Sequence, residues 1–175
     1  MRTIRFSLLT AAAIVLAAAI GIAGDEHAGH TKAAGPANPA WESMKTLQGE
    51  WDGTYDGKVA TQATYRLVSN GTTLMETLTS PDHTDMVTMY HRDGARIAMT
   101  HYCSEDNQPR MRSDAKDPKR IAFRYVDATN LSSPDASRMT GLVVTVKDAD
   151  HFTQDWTHTQ GSQSTTSTFT FTRKK

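Results

Sequence analysis

The chain has 175 residues, and its 19 lysines and arginines are balanced by 19 aspartates and glutamates. This length allows one domain with its own hydrophobic core. Charged residues make up 22% and hydrophobic residues 38% of the sequence, which excludes an intrinsically disordered protein and a multi-span membrane protein. The zero net charge argues against a nucleic-acid partner, because there is no basic excess to neutralise phosphates.

Residues 1–23 have the pattern of a secretory signal peptide. Arg2 and Arg5 give a positive start, an apolar run covers residues 6–20, and small residues precede a cleavage site at Ala23. We therefore predict a periplasmic or secreted protein with no stable membrane insertion after cleavage. The alternative is an uncleaved anchor helix, since the apolar run approaches the roughly 20 residues that span a bilayer.

Residues 24–38 are small and polar, which is typical of a flexible linker. His27 and His30 within it would chelate a metal ion only weakly. The folded domain is thus predicted over residues 39–175. Cys103 is its one cysteine, which excludes an internal disulfide and a cysteine-rich zinc site.

The domain is predicted to begin with a short helical turn over residues 39–48. Asn38 suits the cap position and Pro39 the first helical position. Three apolar residues at a spacing of three would lie on one face: Trp41, Met44 and Leu47.

Everything after this turn is predicted to be strand. The 25 threonines favour strands, and turn residues separate ten segments of six to ten residues. The segments are 49–56, 60–69, 72–80, 85–92, 95–103, 109–114, 120–127, 138–147, 151–157 and 164–173. Such regular antiparallel strands indicate a sandwich or a barrel, and closure into a single ten-stranded barrel removes exposed edges.

Two glycine turns predict hairpins with a definite register. Asn70-Gly71 sets the first hairpin. Its paired residues on one face are Ala63 with Leu78, Tyr65 with Glu76, and Leu67 with Leu74. This face is the more apolar one, so we expect it to point inward and to carry Glu76 with it, because side chains alternate along a strand.

Asp93-Gly94 predicts the second hairpin. Its predicted pairs are Tyr90 with Ile97, Thr88 with Met99, and Met86 with His101. Cys103 continues the same inward face. Alternation in the later strands adds aromatic residues to the interior: Phe123, Tyr125, Trp156, Phe169 and Phe171. An interior of this composition suits a small-molecule pocket, and equally a filled core with satisfied polar groups.

The stretch Leu47-Gln48-Gly49-Glu50-Trp51 resembles the opening of a lipocalin-type barrel of the calycin group, in which Gly-x-Trp follows a short helical turn. The resemblance implies that Trp51 covers the barrel floor against a basic residue from a late strand, for which Arg173 is the candidate. The stretches 89–94 and 101–111, with the closing 168–173, resemble a group of uncharacterised exported bacterial lipocalin-like proteins.

The glycine-rich first strand is also similar to that of the nitrobindins, ten-stranded barrels that bind haem through a late histidine. The resemblance offers His151 and His158 as late histidines. By the predicted segments, His151 begins a strand and His158 lies in the turn after it, so neither clearly points into the barrel.

Glu76 is the most unusual inward residue, because an ionised carboxylate in the interior costs several kcal/mol unless it is paired or hydrogen-bonded. Tyr65 would donate one hydrogen bond to it. A cation would come from a nearby basic residue: Arg124, Arg112 or His101. Glu76 would then orient a ligand or act as a general base, and the alternative is a buried structural network.

His101 and Cys103 share a strand face with Met86, and these soft and borderline ligands could hold copper or zinc. A pocket-lining or core role is the alternative to a metal site, and Cys–His catalysis lacks a visible orienting group. The polar loop 104–111 follows directly. Asn107, Gln108 and Arg110 would close over a ligand, or form an ordinary turn.

These observations predict an exported binding protein for a small apolar or amphipathic molecule, with no cofactor required. The alternatives are a haem- or metal-binding barrel and an enzyme that uses Glu76 or His101 on a small molecule. The predicted ligand-binding residues are Glu76, Tyr65, Tyr90, Met99, His101, Cys103, Arg110 and Tyr125.

Overall fold

The computed structural model describes residues 37–81, 83–114 and 116–175. The predicted signal peptide and nearly all of the predicted linker lie outside these residues, so export and cleavage near Ala23 stay predictions. Within these ranges one helix, α1 (Pro39–Lys45), precedes the strands. Among the described residues, no helix has the length and apolar character needed to cross a membrane.

The ten strands form a closed antiparallel barrel, as predicted. Each strand pairs with the next one along the chain, and the last pairs with the first. They are β1 (Gly49–Tyr55), β2 (Val59–Val68), β3 (Thr73–Ser80), β4 (His83–Asp93), β5 (Arg96–Tyr102), β6 (Gln108–Ser113), β7 (Arg120–Thr129), β8 (Arg138–Val146), β9 (His151–Gln160) and β10 (Gln163–Arg173). Alternate side chains of these strands fill the interior.

The first predicted hairpin register is confirmed and the second is wrong by two residues. Tyr65 lies opposite Glu76, as expected. In the second hairpin His101 lies opposite Thr88, and Tyr90 opposite Met99. The reason is that Gly94 (φ 61°) is the first of two turn residues, a position at which a type II′ turn requires glycine. A shift of two preserves the alternation, so the inward face is the predicted one.

Helix α1 covers the end of the barrel at which β1 begins, which we call the floor. Asn38 caps the helix by accepting a hydrogen bond from the Trp41 amide at 2.9 Å. Its amide nitrogen donates to the carbonyl oxygens of Ala95 and Arg96 in the second hairpin. Asn38 is therefore buried, although it is the last residue of the predicted linker, and it fastens the helix to the barrel.

Trp51 and Arg173 close the floor together, which is the contact implied by the lipocalin resemblance. The Arg173 guanidinium lies 4.1 Å above the Trp51 ring, and the Trp51 indole donates to the Leu47 carbonyl oxygen at 2.7 Å. The guanidinium also donates to three backbone carbonyl oxygens, at 2.8–2.9 Å: Ala149, Gln48 and Thr46. These contacts join the helix turn, β1, β10 and the loop before β9.

Aromatic rings fill the interior just above the floor. Phe152 meets Trp51 edge-on at 4.7 Å and stacks on Phe171 at 4.7 Å. Gly53 of β1 is required here, because a Cβ atom at this position would lie 2.5 Å from both the Phe171 ring and the Thr170 carbonyl oxygen. The aromatic rings of this half of the barrel are therefore in close contact with one another and with the backbone of β1 and β10.

Candidate functional site

A hydrogen-bonded network centred on Glu76 occupies the middle of the barrel. Glu76 accepts from the Tyr90 hydroxyl at 2.6 Å and from the Gln154 side-chain amide at 2.7 Å. The Tyr65 hydroxyl bonds the same carboxylate and accepts from Gln154 at 2.6 Å. The Trp156 indole in turn donates to the Gln154 oxygen at 3.0 Å. Glu76 is 1% exposed, so these hydrogen bonds replace the hydration of its carboxylate by water.

The donors around Glu76 are neutral groups, which corrects the expected cationic partner. Arg112 pairs with Asp93 at the surface, Arg124 is exposed, and His101 bonds Thr88. Burial raises the pKa of Glu76 above its ordinary value, and the hydrogen bonds from the two tyrosines and the glutamine oppose that rise.

The network continues from Tyr90 to His101. Tyr90 donates to Glu76, Thr88 interacts with the Tyr90 hydroxyl, and the Thr88 hydroxyl lies 2.9 Å from His101 Nδ1. Nε2 of His101 is buried and has no hydrogen-bond partner among the described residues. The ring packs on Trp156 at 4.6 Å.

His101 is expected to make stability depend on pH in a defined window. Burial lowers its pKa from 6.5 to about 4. The unfolded chain then binds a proton below pH 6.5 while the folded chain does not, so stability falls as the pH falls from 6.5 to about 4. Two and a half pKa units correspond to about 3 kcal/mol.

Urea unfolding at a series of pH values tests this effect. His101→Gln should remove that part of the slope, whereas His91→Gln, at an exposed position on β4, should leave it unchanged. Equal slopes in the wild type and in His101→Gln would show that His101 titrates normally in the folded state.

A cavity of about 260 Å³ opens at the end of the barrel opposite the floor, and we call it the mouth cavity. Its lining combines six apolar or aromatic residues with seven polar ones. The apolar and aromatic lining residues are Tyr55, Leu78, Met86, Met139, Trp156 and Phe169; the polar ones are Ser80, Cys103, Ser104, Glu105, His158, Thr165 and Ser167. Glu76 and His101 lie deeper than this lining and are covered by it, with Trp156 as the shared wall.

A polar cluster stands at the rim of the mouth cavity. The Ser137 hydroxyl donates to Glu105 Oε1 at 2.8 Å, and His158 Nε2 lies 2.5 Å from that hydroxyl and 3.1 Å from the same oxygen. The sequence prediction for His158 is wrong here, because β9 continues to Gln160 and alternation turns His158 inward. His151 lies at the floor end and pairs with Asp148.

The other predicted site residues divide between cavity, core and surface. Cys103 lines the mouth cavity, is half-buried, and has its thiol pKa raised by that burial. Met99 is part of the packed core. Tyr125 is partly buried beneath the guanidinium of Arg138, 5.4 Å from the ring centroid.

The placement predicted for Arg110 is wrong. It lies between the buried residues Pro109 and Met111 on β6, and alternation turns its side chain outward. There it forms a two-point ion pair with Asp127. The nearby Asn107 is buried instead of closing over a ligand, and its amide donates to the Ser137 carbonyl oxygen at 2.9 Å.

Neither a metal site nor a haem site is assembled by these residues. No group of three or more His, Cys, Asp or Glu side chains among the described residues is arranged to hold a metal ion. A haem macrocycle exceeds drug-sized ligands, whose pockets span about 300–1,000 Å³. The mouth cavity is smaller than this range. His158 Nε2 already bonds Ser137 and Glu105, so it is not free to bind a haem iron, and a haem does not fit the mouth cavity.

The site contains residues that the sequence analysis missed. Gln154, with no exposed surface, links Glu76 to Tyr65 and Trp156. The inward direction of its side chain could have been predicted from the sequence, because Gln154 lies between Phe152 and Trp156 in a strand whose side chains alternate. Glu105 and Ser137 come from two different loops, and no local pattern brings them together.

Comparison with solved structures supports the antiparallel barrel fold. The crystal structure of Rv2717c from M. tuberculosis superimposes with a TM-score of 0.59 at 14% identity, covering 78% of this chain and 98% of that chain. EF1p2_mFAP2b bound to DFHBI gives a TM-score of 0.39 at 11% identity, covering 77% and 99%. A redesigned beta barrel gives 0.37 at 17%, covering 81% and 100%. No protein-family model and no curated protein matches the chain.

Proposed function

We propose that this barrel binds a small, mainly apolar molecule in the mouth cavity. The supporting observation is the contrast between the two halves of the interior. Aromatic rings pack against one another in the floor half, whereas the mouth half contains a cavity lined by three aromatic rings, three aliphatic or Met side chains and several polar groups. Ligand pockets have this composition, because apolar walls supply affinity and a few polar groups fix orientation.

The size of the hollow limits the ligand. About 260 Å³ lies just below the range for drug-sized molecules, so the ligand has few heavy atoms. Its apolar body would contact Trp156, Met86 and Phe169, and its polar end would face Glu105 and His158. The buried network beneath holds Trp156 in place through its indole hydrogen bond. Glu76 and His101 would thus support the binding wall from below.

Blocking the mouth cavity should abolish binding. Thr165 lines the cavity from an exposed position on β10, so Thr165→Trp would place an indole across the opening without disturbing the core. We expect its affinity for small neutral probes such as indole or hexanol to fall at least about tenfold, a loss of about 1.4 kcal/mol. The control is Thr166→Trp, because the side chain of Thr166 points to the outer face of the barrel beside Thr157.

Isothermal titration calorimetry and saturation-transfer NMR measure the two variants against the wild type. The proposal requires that Thr166→Trp retain wild-type affinity. If none of the probes binds the wild type, or if both variants bind equally, the mouth cavity is not a ligand site.

A further inference from the structure

The lining of the mouth cavity contains two titratable side chains that contact each other, Glu105 and His158. Glu105 is the single carboxylate in the described lining, and that lining contains no lysine or arginine. Asp106 and Asp135 line the adjoining depression of about 650 Å³ between the β5–β6 and β7–β8 loops, which Glu105 also borders. The surroundings of the cavity therefore favour a positive or neutral ligand over an anion.

Lys58, in the turn between β1 and β2, is exposed at this end of the barrel and lies outside the cavity lining, and two arginines of this region make other contacts. Arg138 donates to the carbonyl oxygens of Pro134 and Ala136 and stacks on Tyr125. Arg110 forms its ion pair with Asp127 on the outer face. Neither belongs to the cavity lining, so neither guanidinium is placed to neutralise Glu105 or to receive an anionic ligand.

Hydrogen bonds to one oxygen of the Glu105 carboxylate fix its orientation and leave the other oxygen available to a ligand. Ser137 and His158 both bond its Oε1 oxygen. Its Oε2 oxygen makes no hydrogen bond with the described residues, so two lone pairs of the carboxylate remain for an incoming cationic donor.

Three aromatic rings line the same cavity, namely those of Tyr55, Trp156 and Phe169. Tyr55 and Phe169 meet at 4.9 Å with their planes inclined at 51°, so their faces are not stacked on each other. The Tyr55 hydroxyl lies 3.0 Å from the Ser167 hydroxyl, which fixes the ring. The face of an aromatic ring is negative and attracts cations, most strongly for tryptophan.

We propose that the mouth cavity binds a small organic cation, an ammonium group with an apolar body, between its aromatic rings and the Glu105 carboxylate. This assignment rests on the proposed function and specifies its ligand class. Methyl groups on the cation would contact the aromatic faces and the thioethers of Met86 and Met139. The positive charge would be matched by Glu105 at the rim.

The experiment compares three probes of one shape. Choline is the cation, dimethylbutanol replaces its nitrogen by carbon, and dimethylbutanoate is the corresponding anion. Calorimetry at low and high salt is expected to show choline binding at least about fivefold more tightly than dimethylbutanol. The choline affinity should weaken with salt while the dimethylbutanol affinity stays constant. Dimethylbutanoate should bind most weakly.

Glu105→Gln tests the carboxylate directly. Its choline affinity should fall at least about threefold and its dimethylbutanol affinity should not change. Glu50→Gln, which removes an exposed carboxylate paired with Lys174 at the floor end, should alter neither. Tighter binding of dimethylbutanol or dimethylbutanoate would overturn the cation assignment alone. Absence of binding by every probe would overturn the proposed function as well.

Discussion

Glu76→Leu is expected to lower the free energy of unfolding by about 3 kcal/mol, because it leaves buried donors without an acceptor. Leucine has a similar volume, so the loss reports hydrogen bonding more than packing. The orphaned groups are the hydroxyls of Tyr90 and Tyr65 and the side-chain amide of Gln154. Chemical denaturation at pH 7 measures the loss.

Two further measurements separate this network from a nonspecific core defect. A double-mutant cycle between Glu76→Leu and Tyr90→Phe should show a coupling of at least about 1 kcal/mol, whereas additive losses would contradict the hydrogen bond's contribution.

The second measurement is the pH dependence of the free energy of unfolding. Because the pKa of Glu76 is raised, the proton-linked part of its contribution to stability is fully present below pH 4.5 and is lost as the pH rises through the folded-state value, while the hydrogen bonds to the carboxylate remain. Glu76→Leu should lack this decline.

Arg173→Lys is expected to cost about 2–4 kcal/mol although it keeps the positive charge. The planar guanidinium donates to three carbonyl oxygens while covering Trp51, and a lysine ammonium cannot do both. Losing it frees the helix turn and the loop before β9 from the floor. Thermal unfolding should show the loss as a lower midpoint.

Arg110→Lys is the matched control for the floor arginine. Arg110 also makes a two-point contact, but with Asp127 on the exposed face of the barrel, where ion pairs contribute little. We expect its thermal midpoint to stay near the wild-type value. If Arg173→Lys unfolds at the same temperature as Arg110→Lys, the floor contact is not structurally important.

The fold could be predicted because local patterns agreed along the chain. Alternation and turn residues located all ten strands, and Asn70-Gly71 gave the correct partner for Glu76. Asp93-Gly94 misled because glycine suits more than one position in a two-residue turn. The dipeptide signals a turn without fixing which pair of residues occupies its centre.

The candidate site could be predicted only in part. Alternation placed Glu76, His101 and Cys103 inward, as the structure does, but it could not say which contact a cavity. Filling depends on the volumes of side chains from all ten strands. The rim contact of Glu105 with Ser137 and His158 joins two loops and a strand, residues up to 53 positions apart, and only the closed barrel brings them together.

The three tryptophans report directly on where a ligand binds. Trp156 lines the mouth cavity, whereas Trp41 and Trp51 are buried at the floor. During a choline titration followed by NMR, we predict that the indole N–H resonance of Trp156 shifts in proportion to saturation and that the other two stay in place. A shift of the two floor indole resonances with the Trp156 resonance unchanged would place the ligand at the floor and would exclude the mouth cavity as its site.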